Sequence, residues 1–189
     1  MLFRSEAAVI DPGGELNKIT AAIEKHQLKL TKILLTHGHI DHAGGAASLS
    51  EATSVPVIGP HQEDKFWLDA LDDQSRMFQF PEAKAVTPSR WLEDGDVIQL
   101  GEGKLDVIHC PGHTPGHVVY YSAANKMAQV GDVIFAGSVG RTDFPKSDHP
   151  ALINSIKNKL LPLGDDVEFI PGHGPNSTFG AEKRHNPFL

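Results

Sequence analysis

The 189-residue chain has a single cysteine, Cys110. One thiol cannot close an intramolecular disulfide, and sparse cysteine fits a reducing compartment. No apolar stretch approaches the roughly 18 residues that would signal a membrane span. No signal peptide is recognised ahead of Asp11, so a cytoplasmic location without membrane attachment is expected. Basic residues are in deficit, 17 Lys and Arg against 24 Asp and Glu, for a net charge of −7. Neutralising phosphates needs a basic surface, which argues against a nucleic-acid partner. Repeats, long linkers and low-complexity tracts are lacking, so residues 1–189 are expected to form one domain. The remaining composition, 40% hydrophobic and 22% charged, is that of a globular chain able to bury a core.

Histidine is what the chain has in plenty. Between Ile33 and Gly45 it reads Ile-Leu-Leu-Thr-His-Gly-His-Ile-Asp-His-Ala-Gly-Gly, an apolar run that stops at His37, His39, Asp41 and His42. Imidazole nitrogens and a carboxylate suit zinc, iron or manganese, with no thiolate involved. Four candidate ligands in six residues crowd one tetrahedral ion, so the spacing suggests two metal sites.

Three more candidates stand where a β-rich run ends in a glycine-containing loop. His113 follows Leu-Asp-Val-Ile-His-Cys-Pro-Gly, Asp132 follows Met-Ala-Gln-Val-Gly, and His173 follows Val-Glu-Phe-Ile-Pro-Gly. Strands deliver side chains to one sheet edge, and glycine at the exit lets the backbone turn sharply and approach an ion. Cys110, just ahead of the Pro-Gly turn, reads as a small buried residue rather than a redox group. His117 is expected to hydrogen-bond behind the ligands rather than to bind metal.

The ordered set His37, His39, Asp41, His42, His113, Asp132 and His173 resembles that of the metallo-β-lactamase superfamily. Cys-Pro-Gly-His-Thr-Pro-Gly-His (110–117), Gly-Asp-Val-Ile-Phe (131–135), Gly-Arg-Thr-Asp-Phe-Pro (140–145), Pro-Gly-His-Gly-Pro (171–175) and Asn-Pro-Phe-Leu (186–189) narrow it to glyoxalase II-like enzymes, similar to the short hydroxyacylglutathione hydrolases of bacteria. The resemblance implies an αββα four-layer sandwich of mixed α/β class, with metals at one sheet edge. It implies two divalent ions, zinc with iron or manganese as alternatives. One would be held by His37, His39 and His113, the other by Asp41, His42 and His173, with Asp132 bridging. Asp41 and Asp132 are the catalytic carboxylates of this reading. The implied reaction is hydrolysis of a small-molecule thioester such as S-lactoylglutathione by a metal-activated hydroxide, in a monomer or weak homo-oligomer.

Several positions depart from that pattern. Arg141 stands where fuller glyoxalase II enzymes place a cation for a glutathione carboxylate, but position 143, a tyrosine there, is Asp143. Their additional C-terminal helical domain has no counterpart here, so weak or broad thioester specificity is expected. About two strands that relatives carry ahead of Asp11-Pro-Gly-Gly are also missing, which suggests an amino-terminal truncation, and Leu2-Phe3-Arg4-Ser5 matches a translated sequencing adapter. A persulfide dioxygenase with one iron on His37, His113 and Asp132 is the competing enzymatic reading, and a truncated, non-catalytic metal binder the competing non-enzymatic one. A lactone hydrolase is disfavoured by Phe135, where a catalytic tyrosine would stand. A β-lactamase is disfavoured by the full motif with its bridging aspartate.

Periodicity predicts helices on Leu16, Ile19 and Ile23, and on Leu152, Ile153, Ile156 and Leu160, the second capped by Asp148 with Pro150 in its first turn. Phe66, Trp67 and Leu71 suggest a third helical face, for core packing rather than as a substrate clamp. Short strands are expected from Val97 to Tyr121, with Gly101 and Gly103 in one hairpin.

Overall fold

The computed structural model describes residues 5–81 and 83–189. The Leu2-Phe3-Arg4 part of the adapter match lies outside them. The chain divides into two compact units, Met1–Leu92 with Gln99–Glu102, and Glu93–Ile98 with Gly103–Leu189.

In the first unit, β1 (Glu6–Ile10), β2 (Lys29–Leu34) and β3 (Val57–Ile58) form a parallel sheet in that order. Parallel neighbours require crossovers, and helices supply them. The crossover from β1 to β2 is α1 (Leu16–Lys25); α2 (Ile40–Ala43) and α3 (Ala46–Thr53) lie between β2 and β3. Leu16 and Ile19 of the expected α1 face pack on a core that includes Ile33, Leu35, Leu49 and Val57. Ile33, Leu34 and Leu35 are wholly buried, so the strand that leads to the first ligands reads as a continuous apolar run instead of an alternation.

After Gly59 and Pro60 come two short helices, α4 (Lys65–Asp69) and α5 (Leu71–Phe78), where one was expected. Ala70, at φ −99° and ψ 15°, separates them. Leu68 and Leu71 enter the core, whereas Phe66 and Trp67 stay half-buried.

The second unit holds a six-stranded sheet of order β11-β10-β7-β6-β5-β4, whose edge strand β4 (Val97–Leu100) begins within it. The other strands are β5 (Gly103–His109), β6 (Val118–Ser122), β7 (Met127–Gly131), β10 (Glu168–Pro171) and β11 (Ser177–Thr178), and β8 (Ile134–Phe135) pairs with β9 (Ser138–Val139) as a separate ribbon. β5 and β6 are antiparallel, β6 and β7 are antiparallel, and β7 and β10 are parallel. It follows that β5, β7 and β10 run the same way and finish at one rim of the sheet.

Helix α6 (His149–Ser155) continues as a π-helical stretch, Ile156–Leu160, and buries Leu152, Ile156 and Leu160 completely. The Asp148 side chain accepts the Ala151 N–H at 2.9 Å and caps α6 as expected, with Pro150 in the first turn. The carboxy-terminal helix is α7 (Phe179–His185), whose Phe179 ring stacks on Phe169 at 5.3 Å. Among the described residues, no helix is long and apolar enough to cross a membrane.

Two outcomes are expected. Asp148→Ala orphans an α6 amide and should cost about 1 kcal/mol, a fall in Tm of roughly 2–4 °C by thermal melting; an unchanged Tm would show that the cap carries no weight. Cys110 is fully buried, and burial pushes its thiol up to about 12, so it is neutral at physiological pH. A thiol-specific reagent at pH 8 should therefore leave Cys110 unmodified until the chain is denatured.

Candidate metal centre

Each unit presents its own donor set. In the first, β2 ends at Leu34, the chain bends at Thr36, and His39 is extended (φ −73°, ψ 152°) where α2 begins. His37, His39 and His42 are buried, and Asp41 is partly exposed. Nε2 of His37 lies 3.1 Å from Nδ1 of His39, a separation at which both nitrogens can hold one ion through bonds of about 2.0–2.1 Å. Nε2 of His42 faces the Asp41 carboxylate at 3.7 Å.

The opposite ring nitrogens are held by a residue that sequence reasoning passed over. Asp11, at the end of β1 and at a positive φ of 52°, accepts three hydrogen bonds in its carboxylate. The donors are the Thr36 N–H at 2.7 Å, the Thr36 hydroxyl at 2.6 Å and Nδ1–H of His42 at 2.9 Å. Since the Thr36 hydroxyl gives its proton to Asp11, its lone pair is left to accept from Nδ1–H of His37 at 3.0 Å. Both imidazoles thereby carry their proton on Nδ1 and present the Nε2 lone pair, the tautomer that a metal ion requires. The donor atoms of Asp11, His37 and His42 all lie within 4.8 Å of one another. Asp11-Pro12-Gly13-Gly14 reads in the sequence only as the end of a strand, because nothing local distinguishes a buried acceptor from a turn aspartate.

In the second unit, the loops after β5, β7 and β10 place His113, Asp132 and His173 at the common rim. His113 and Asp132 are buried, and the His173 side chain is 57% exposed. Oδ2 of Asp132 is 3.7 Å from Nε2 of His113 and 3.5 Å from Nε2 of His173. One carboxylate oxygen therefore faces two imidazole nitrogens at spacings suited to common coordination. Nδ1–H of His113 donates to the Arg141 carbonyl at 2.8 Å, which again leaves Nε2 as the ligand atom. His117 is buried, and its Nε2 accepts the Asp132 backbone N–H at 3.1 Å, so it orients the residue that carries the carboxylate.

Helix α6 and the turn that leads into it brace the His113 loop. Ser147 Oγ donates to the His113 carbonyl at 2.7 Å, Ser155 Oγ donates to the Pro111 carbonyl at 2.9 Å, and a Cβ on Gly112 would strike Leu152 at 2.4 Å. At the outer edge, the exposed Arg141 guanidinium makes a two-pronged pair with Asp143, at 3.0 and 2.7 Å, and lies 4.7 Å over the Phe144 ring. Hydrogen bonding from Arg141 holds the Asp143 carboxyl below the usual carboxylate range. Any substrate anion arriving at Arg141 must displace Asp143, a contest fought in solvent where such pairs are weak.

A family profile described as the metallo-β-lactamase superfamily matches residues 3–173. The chain belongs to that superfamily. Within it, the chain is 46% identical over 184 residues to hydroxyacylglutathione hydrolase GloC of Haemophilus influenzae, covering 97% of this chain and 87% of that protein. Among solved structures, BLEG-1, described as a B3 metallo-β-lactamase, superposes with a TM-score of 0.90 at 38% identity over 98% of this chain and 89% of its own. TTHA1623 in a di-iron-bound form gives 0.88 at 42% identity, over 95% and 88%. These likenesses establish the mixed α/β metallo-β-lactamase fold, the glyoxalase II-like character and the class of metal-dependent hydrolase. The donor chemistry found in both units fits such a metal.

Asp11→Ala removes the acceptor of His42 and of Thr36. Zinc affinity, measured by competition with a chelating dye, is expected to fall roughly 10–100-fold; wild-type affinity would show that the Asp11 hydrogen bonds do not tune the donors.

Proposed function

We propose that the chain hydrolyses hydroxyacyl thioesters of glutathione, S-lactoylglutathione among them, and that the two donor sets serve one binuclear centre in a single functional domain. The observation that carries this reading is Oδ2 of Asp132 facing the coordinating nitrogens of both His113 and His173. A carboxylate placed between donors assigned to different ions can bridge them, and paired ions sit roughly 3.5–4 Å apart. Support for the pairing comes from the family match, which spans all seven candidate ligands, and from the di-iron relative. Following the resemblance, one ion takes His37, His39 and His113 and the other Asp41, His42 and His173, with Asp132 between them. Zinc is the expected metal, and iron the alternative favoured by that relative.

When bound, such ions supply Lewis acidity and a water that ionises near neutral pH. The residues supply the rest. Asp11, Thr36 and the Arg141 carbonyl keep a proton on the outer nitrogens of His42, His37 and His113. Asp41, the more exposed carboxylate, faces Nε2 of His42 at 3.7 Å and would add a negative charge to that donor set. Arg141 offers a cation to a glutathione carboxylate, with Asp143 as its standing competitor. No nucleophilic side chain is required, and the buried, neutral Cys110 is not equipped to be one.

A β-lactam is the second substrate class to test, because of the 38% identity to BLEG-1. Metal analysis of the purified chain, followed by parallel assays with S-lactoylglutathione and a chromogenic cephalosporin, separates the readings. About two ions per chain with turnover of the thioester alone is the expected result; about one iron with persulfide oxidation would transfer the assignment to a dioxygenase. Asp132→Ala is expected to abolish turnover and to lower metal content to about one ion or fewer, and near-wild-type hydrolysis would refute the bridging role.

A further inference from the structure

We propose that Asp64 and Gln74 are positioning residues that hold the Gly38 peptide, and through it His37 and His39, in the arrangement that receives a metal ion. The proposal rests on the reading of those histidines as ligands, and concerns residues that neither the motif nor the resemblance includes.

The ligand loop has little secondary structure to fix it. The last sheet bond of the entering strand is from the Leu35 N–H to the Ile58 carbonyl, and helical bonding resumes only with the His42 N–H to the His39 carbonyl. Between these points the even-numbered amides are taken up one after another by side chains. Thr36 N–H donates to Asp11 at 2.7 Å, Gly38 N–H to Asp64 Oδ2 at 2.9 Å, and Ile40 N–H to Gln74 Oε1 at 3.0 Å. The gripped amides alternate with His37 and His39, so distant acceptors hold the chain on either side of each histidine while the two side chains remain available as ligands.

Gln74 closes the grip. Its Nε2 donates to the Gly38 carbonyl at 3.2 Å and to the Trp67 carbonyl at 2.8 Å, while Oε1 accepts from Ile40. One acceptor and two donors, arranged in a plane, are what an amide provides; a carboxylate cannot donate and an aliphatic chain can do neither. Both groups are buried, Asp64 at 0% and Gln74 at 5% exposure, beside the fully buried Leu68 and Leu71. Polar side chains in such a place are costly unless hydrogen-bonded, and much of the bonding here goes to the ligand loop.

Close packing tightens the same contact. A Cβ on Gly38 would come within 2.5 Å of the Trp67 Cβ, so only glycine lets α4 approach this peptide. The Trp67 ring meets His39 edge-on at 4.5 Å between centroids. Helices α4 and α5 thus bear on one ligand ring directly and on the peptide joining two ligands through hydrogen bonds.

The test uses Co²⁺ alone as probe, with affinity and the visible ligand-field spectrum as readouts, and circular dichroism of each metal-free variant as a check on folding. Asp64→Asn keeps an acceptor for Gly38 and is expected to bind Co²⁺ like the wild type. Asp64→Ala and Gln74→Met should lose roughly 10–100-fold in affinity and change the spectrum. Gln74→Glu, which keeps the acceptor for Ile40 but loses both donors, should shift in the same direction and decides the matter if the larger truncations do not fold. Wild-type affinity and spectrum in the folded Gln74 variants, with cobalt still lost in His37→Ala, would overturn the positioning role and leave the ligand reading intact. Failure of the wild type itself to take up cobalt would overturn the ligand reading and this proposal together.

Discussion

Three hydrogen bonds converge on the carboxylate of Asp11, and the first donor set depends on them. An imidazole can offer a lone pair in a fixed direction only if its proton is committed elsewhere, and buried polar groups left without partners are expensive. Asp11 meets both requirements, by taking the proton side of His42 directly and that of His37 through Thr36. The Arg141 carbonyl does the equivalent for His113 in the second unit. A carboxylate acceptor raises the basicity of an imidazole more than a neutral carbonyl does, so His42 and His113 are not electronically equal as donors.

The strand layout explains why so few residues suffice in the second unit. With β5, β7 and β10 running the same way, three successive loops open at one rim, and each needs only a turn and a donor. Gly140 shows how closely the chain is folded there, since a Cβ on it would fall 2.0 Å from the Asp132 carbonyl oxygen. The ribbon that follows Asp132 is tied to the carboxy-terminal helix by the buried Glu182, which accepts the Gly137 N–H at 2.8 Å and the Asn186 amide at 2.9 Å. The Asn-Pro-Phe-Leu ending that helped to identify the family thereby acquires a physical role, because Asn186 also donates to the Ser138 carbonyl at 3.0 Å.

The candidate ligands were legible in the sequence because their chemistry is dense and their spacing is fixed by strand ends, a pattern that survives without tertiary knowledge. The helices at Leu16 and at Leu152 were legible through periodicity, as was the Asp148 cap. The supporting residues were not. Asp64 and Gln74 lie on short helical segments among Glu63, Lys65, Asp72 and Asp73, where polar residues read as a solvated face. The three-residue spacing of Leu68, Leu71 and Gln74 puts them on one side of the helical path, but a polar amide at the third position does not read as buried. Asp11 was hidden for a related reason, since its three partners come from Thr36 and His42, more than twenty residues away.

Arg141 combines two functions that are chemically separable. Its backbone carbonyl fixes the tautomer of His113, and every residue type provides that carbonyl. Its guanidinium, exposed and paired with Asp143, is the only part that a substitution removes. A change of side chain at this position therefore removes the pair with Asp143 and leaves the carbonyl bond to His113 in place. The same logic limits what the guanidinium can add to anion binding. A cation that already has a carboxylate from its own turn gains little by exchanging it for one from a substrate, because both pairs stand in water and differ mainly in the entropy of bringing the partner in.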